Sequence, residues 1–174
     1  MSDHNKSSSS DDSFVKLAIP YKEFDVLVSD IDERELEKIG REGEVEHLSR
    51  ATFSSPSFPV SGIIHGPNIR YMIPLVVQRA GKPNSNAINV WFLVDTSSPF
   101  TCLTVKSLES FFGQGNVADD EYYRFAIQDQ KSNIECRTSK GNFEFVNLLG
   151  ADAMRKLKLS IDVDWETDTF KLVK

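Results

Sequence analysis

Apolar and polar positions alternate in short stretches through the second half of the chain. Ile69, Tyr71, Ile73, Leu75 and Val77 recur at every second position, which is the period of a strand with one buried face. Pro74 lacks a backbone donor, so this strand is expected at an edge or with a bulge. Gly81, Pro83 and the asparagines of residues 79–86 predict a turn. Residues 90–94 (Val-Trp-Phe-Leu-Val) then run unbroken into Asp95. A run so rich in β-branched and aromatic types suits a strand buried on both faces. Ser97-Ser98-Pro99 forces a turn after it. Thr104 is placed to cap a short helix ending at Phe112, with Val105, Leu108, Phe111 and Phe112 inward and Gly113 as its stop. Tyr123, Phe125 and Ile127 alternate, residues 128–133 turn, and Ile134 and Cys136 return, which predicts a hairpin. Lys140-Gly141-Asn142 predicts a further turn, after which Phe143 and Phe145 lead into Leu148-Leu149-Gly150.

The first half is patterned differently. Residues 1–12 are polar and serine-rich without apolar anchors, so disorder is expected there, and Ser7 to Ser10 read as a solvated tail. Phe24, Val26 and Val28 alternate as in a short strand. Ser29 or Asp30 is placed to cap a helix running to about Ile39, with Gly40 as its stop. Ile31, Leu36 and Ile39 make no full stripe, which predicts a mostly exposed helix. Pro56, Pro59, Pro67 and several serines mark residues 51–67 as a linker. The expected organisation is an acidic, partly disordered arm and linker over residues 1–64 and a folded domain over residues 65–174.

Length and composition narrow the class. The chain of 174 residues, 40% hydrophobic and 26% charged, suits one globular domain plus an arm. No run of ~18 apolar residues is present, so no membrane partner is expected. The opening residues do not form a secretory signal, and two cysteines do not form a disulfide framework, so an intracellular, cytoplasmic setting is expected. His4, His47 and His65 lack metal-ligand spacing, and no metal or other cofactor is expected. The net charge of −6 is uneven: residues 1–46 hold 13 acids and 6 bases, residues 47–174 hold 13 acids and 14 bases. The acidity belongs to the arm, and without a basic stripe no nucleic-acid partner is expected.

Asp95 is the candidate for chemistry. A carboxylate at the end of a buried strand is costly unless bonded, paired or protonated. Leu93-Val94-Asp95-Thr96-Ser97-Ser98 resembles the apolar-apolar-Asp-Thr-Gly-Ser signature of the retropepsins, the retroviral-type aspartic proteases. Residues 146–154, with Gly150 lying 55 positions after Asp95, resemble that family's apolar-apolar-Gly segment and the short helix after it. Residues 159–165 and 169–173 resemble its closing hairpin. The resemblance covers about residues 68–174 and is closest to cellular or transposon-derived members.

The resemblance implies a mostly β, closed barrel or sandwich with one or two short helices. It also implies an aspartic endopeptidase that acts as a homodimer on a peptide or protein substrate. In that reading Asp95 of each chain is catalytic, Thr96, Ser97 and Ser98 support its loop, and Leu148, Leu149 and Gly150 thread behind it. Two carboxylates about 3 Å apart share one proton. One acts as base toward a water while the other polarises the scissile carbonyl. A single motif per chain then requires two chains.

Two positions depart from the family. Ser97 stands where it usually has glycine. Of the 52 residues between Asp95 and Leu148, only one stretch reads as a hairpin, and its turn has no glycine, unlike the family's mobile flap. Either this hairpin is the flap, or residues 113–121 do its work. The alternative reading is an inactive dimerisation or partner-binding module on the same fold. Other chemistries lack support: no Gly-x-Ser-x-Gly elbow occurs, and Cys102 and Cys136 read as structural thiols. Asp162, Asp164, Glu166 and Asp168 lack a calcium loop's central glycine.

Overall fold

The computed structural model describes residues 28–118 and 121–174. The expectations for residues 1–12 and for a strand at Phe24 and Val26 lie outside them. The described chain is mostly β. Its elements are α1 (Glu33–Glu42), β1 (Val60–His65), β2 (Arg70–Arg79), β3 (Ile88–Val94), β4 (Thr101–Leu103), α2 (Val105–Phe112), β5 (Tyr123–Ile127) and β6 (Ile134–Thr138). A 3-10 turn (Gly141–Phe143) then leads to β7 (Leu148–Leu149), α3 (Ala151–Leu157), β8 (Ser160–Asp164) and β9 (Thr169–Val173). Among the described residues no helix is long and apolar enough to cross a membrane.

The strands lie in the order β3-β7-β4-β6-β5-β2-β1-β9-β8, and β3 also pairs with β2. Six strands therefore form a closed ring of hydrogen-bonded neighbours, and β1, β9 and β8 extend it. Ile73, Leu75, Val90, Phe92, Leu103 and Phe125 fill the interior with essentially no exposure. Leu108 of α2 and Phe170 of β9 join the same cluster. Each such side chain contributes about 1.5–3 kcal/mol by leaving water.

The expectation for Pro74 needs correcting. It sits inside β2, opposite Trp91 of β3, and not in an edge strand. The free side of β2 explains how it is tolerated. β1 pairs with residues 70–72 and β5 with residues 77–79, and the Val76 N–H points to that same side, where it donates to Gln128 Oε1 at 3.0 Å. Residue 74 has the same orientation and falls in the gap, where no ladder partner needs its missing donor.

Three further corrections concern the arm. The helix is capped by Asp32, whose carboxylate accepts from Glu35 N at 2.8 Å. It is not mostly exposed: Leu36 and Ile39 are fully buried against a cluster that includes Trp91, Leu93 and Leu148. The segment expected as a linker contains β1, which bridges β2 (Ile63↔Met72) and β9 (Val60↔Leu172). Residues 28–64 thus share the packed structure of residues 65–174.

A buried polar pocket lies where this helix meets the sheet. His47, with its side chain 1% exposed, accepts from Trp91 N through Nδ1 at 3.2 Å. Its Nε2 faces Glu33 Oε2 across 3.9 Å, beyond hydrogen-bond reach. Burial, with the Lys106 charge second, lowers the His47 pKa to about 4, so the imidazole is neutral near neutrality. A depressed folded-state pKa makes a contribution that is complete above about 6.5 and lost as the pH falls toward 4. His47 is therefore expected to remove about 2 kcal/mol of stability as the pH falls from ~7 to ~5. Burial raises the Glu33 carboxyl, and its protonation offsets part of that loss at the acid end. Urea unfolding at the two pH values tests this with His47→Asn, which keeps an acceptor for Trp91 N but cannot titrate. The variant should lose most of the pH dependence. Equal losses in variant and wild type would show that another group titrates.

Candidate functional site

The site grows from the way a two-residue strand enters a loop. β3 ends at Val94, residues 95–100 turn outward, and the chain returns as β4. β7 passes between the two, parallel to β3 (Leu93↔Leu148, Val94↔Leu149) and antiparallel to β4 (Cys102↔Leu148). Backbone bonds lock it there: Leu93 N donates to Asn147 O at 2.8 Å, and Asp95 N to Leu149 O at 3.1 Å. Leu148 and Leu149 are buried at 2% and 0% exposure. Apolar residues suit β7 because both its faces are covered.

Gly150 ends the crossing. An added Cβ would lie 2.3 Å from Phe100 O and 2.4 Å from Phe100 C. Its φ of −82° suits any residue, so what excludes a side chain is space. Just beyond, Ala151 N donates to Ser98 O at 2.8 Å. Gly150 N donates to Thr101 Oγ1 at 3.1 Å, and that hydroxyl donates onward to Asp152 Oδ1 at 2.7 Å. The Asp95 loop is thus tied from behind by residues 149–152.

Asp95 itself is half-buried. Its Oδ1 accepts from Ser97 N at 3.0 Å, Ser97 Oγ at 2.5 Å and Ser98 N at 3.3 Å. The same oxygen thus both organises the turn and receives the Ser97 hydroxyl. Ser97 lies outside the left-handed backbone region, so serine in place of glycine stores no backbone strain there. Ser98 Oγ donates to Phe100 O at 2.7 Å, closing the loop on itself. Thr96 is exposed. Farther along, the Arg137 guanidinium stacks 3.4 Å from the Phe100 ring centroid, with the exposed Tyr122 ring 5.0 Å away.

Asp95 and Ser97 form one side of a groove of about 330 Å3, with Val28, Tyr71 and Phe143 on the others. Among the described residues Asp95 is the one carboxylate lining it. Beyond this lining, Asp30 is bound by Arg70 Nη2 at 2.7 Å and by Asn68 at 2.9 Å. Burial works to raise the Asp30 carboxyl, but those bonds outweigh it and hold the pKa below the usual value. Among the described residues no three His, Cys, Asp or Glu side chains converge as metal ligands.

The hairpin weighed as a flap lies elsewhere. Ile127 pairs with Val77, which also pairs with Ile88 at the start of β3. Asp95 follows the other end of that strand, about 20 Å away at ~3.3 Å per residue. The turn is also anchored, since Gln128 Nε2 donates to Ser57 O at 3.0 Å. The hairpin is a fixed part of the ring and does not cover Asp95.

Among solved structures the chain is similar to a retropepsin-like aspartic protease from Rickettsia conorii. The TM-score is 0.43 and the identity 17%, over 70% of this chain and 95% of that chain. No family model and no curated protein matches the chain.

Sequence reasoning passed over one residue that builds this site. Asn147, fully buried, accepts from Thr104 N at 2.8 Å and donates to Trp91 O at 3.1 Å. It joins β3 to the start of α2 just before β7. Its signal is a polar residue inside the apolar run Val146-Asn147-Leu148-Leu149, since a buried amide persists where it is fully bonded. Cys136 is buried, and burial raises both thiols, Cys136 the more.

Proposed function

We propose that the chain is a retropepsin-like aspartic endopeptidase working as a homodimer, with Asp95 of each copy meeting across a two-fold axis. The observation that carries this reading is the threaded loop: β7 and Gly150 hold the Asp95 backbone rigidly at the end of a buried strand. A carboxylate fixed in this way is preorganised, and among the described residues its single-chain groove holds no second acid to share a proton with. In the dimer one ionised Asp95 takes a proton from a bound water, whose oxygen attacks the peptide carbonyl. The protonated Asp95 donates to the carbonyl oxygen, and the C–N bond breaks as the amine nitrogen takes up a proton. Thr96, Ser97 and Ser98 shape the loop, and Leu148, Leu149 and Gly150 brace it. The substrate is an extended peptide segment, and no cofactor takes part.

A second reading is favoured by one contact and one topological fact. Ser97 Oγ already occupies Asp95 Oδ1 at 2.5 Å, and the β5–β6 hairpin does not cover the groove. A protein with this fold that binds partners without cutting them would tolerate both.

Sedimentation and a peptide-library digest over pH ~3 to ~8 separate the two. The peptidase reading expects a dimer at micromolar concentration and cleavage with an acidic optimum. A monomer that cuts nothing would leave the binding-module reading. Ser97→Gly is expected to raise or preserve the rate while lowering stability by about 0.5–1 kcal/mol through the freer unfolded chain. A stability gain would contradict the unstrained geometry of Ser97.

A further inference from the structure

At the end of the ring away from Asp95, the turn between β5 and β6, the end of α3 and the end of β9 enclose a groove of about 430 Å3. Lys131, Lys156, Lys158 and Lys174 line it, with Asp129 as the one acidic side chain among the described residues. All four lysines are exposed. Lys174 Nζ lies 3.4 Å from Asp129 Oδ2, and Lys156 Nζ donates to Asn133 O. The ammonium groups of Lys131 and Lys158 have no partner among the described residues. Four ammoniums against one carboxylate leave a surplus of positive charge, in a chain whose net charge is −6.

Part of this charge has a structural role. Lys156 sits in the last turn of α3, where the helix dipole favours a cation. That role does not extend to Lys131, on another element, or to Lys174 at the end of β9. Lys158 closes α3 at φ 58°, ψ 51°, a left-handed position where glycine costs least. Like charges repel when gathered in one groove, and a bound anion removes that repulsion.

We propose that this groove binds an acidic peptide segment of a partner protein. Each lysine presents a compact point charge on a flexible stem, and four of them spread along one groove match carboxylates spaced along an extended peptide. Among the described residues its lining has no aromatic ring, and the Phe58 ring 5.4 Å from Lys174 Nζ is buried, so no ring is open for a nucleic-acid base to stack on. Among the described residues the acids of the arm do not supply the occupant. The acids of residues 28–46 lie on and around α1, where Asp30, Glu33 and Glu37 are engaged by Arg70 and Lys106. α3 starts beside the Asp95 loop and ends at this groove, about 10 Å along the helix at ~1.5 Å per residue. An occupant here leaves the Asp95 groove open.

The test uses the full chain and a fluorescein-labelled decapeptide of Glu and Asp, read by anisotropy. Wild type should bind, and binding should weaken as salt rises from ~50 to ~200 mM. Lys131→Glu/Lys158→Glu should weaken it about tenfold or more. Arg34→Glu/Arg41→Glu makes the same charge change on the exposed face of α1, away from the groove, and should stay within about twofold. Equal loss in both pairs, or no binding by wild type, would overturn the proposal. So would a single-stranded DNA oligonucleotide of equal charge that binds this groove more tightly than the peptide.

Discussion

Gly150→Ala is expected to destabilise the fold by about 4 kcal/mol or more, a cost reserved for changes the structure cannot absorb. The new Cβ would sit 2.3 Å from Phe100 O, and the atoms it meets are backbone, which cannot rotate away. Neither side can yield cheaply. Leu149 is fixed to Asp95, Gly150 to Thr101 and Ala151 to Ser98 by hydrogen bonds, so relief must break part of the threading. Gly141→Ala is the control. Nothing lies within 4 Å of its added Cβ, but its φ is 63°, so about 1 kcal/mol of backbone strain is expected there. Urea unfolding of both variants distinguishes the two causes. A Gly150→Ala protein no less stable than Gly141→Ala would mean that β7 does not pass behind the Asp95 loop as described.

The parts legible in the sequence are those whose signal is local. β2 follows from the alternation of Tyr71, Ile73, Leu75 and Val77, although Ile69 falls outside the strand at 55% exposure and Met72 and Val76 bury the face expected to be open; β3 follows from the unbroken run into Asp95. The second helix is legible at both ends: Thr104 accepts from Ser107 N at 3.1 Å, and Gly113 N closes on Glu109 O. Within that helix the inward set is smaller than the pattern suggests, since Leu108 is buried but Val105 is 45% exposed.

What was not legible depends on partners far along the chain. Leu36 and Ile39 look like an incomplete stripe because their complement, Trp91 and Leu93, lies more than 50 residues away. β1 hides in Val-Ser-Gly-Ile-Ile-His after two prolines, with no period to reveal it, and it exists because β2 and β9 both pair with it. β4 is three residues long, too short for periodicity. At the site, the resemblance to the retropepsins paired Asp95 with Gly150, but only the fold puts the Ser97 hydroxyl on the carboxylate. The four lysines of the distal groove are spread over residues 131–174, and only the fold brings them together.

Asp95→Asn tests the central claim most directly. Asparagine keeps an oxygen to accept from Ser97 N and Ser98 N, so the loop and the urea midpoint should be retained. It removes the ionisable oxygen that would take a proton from water, so kcat/KM on a cleaved library peptide should fall about a thousandfold or more at the acidic optimum. Wild-type cleavage lost in a folded Asp95→Asn protein is the predicted result; undiminished cleavage by the folded variant, or none by wild type from pH ~3 to ~8, would contradict it.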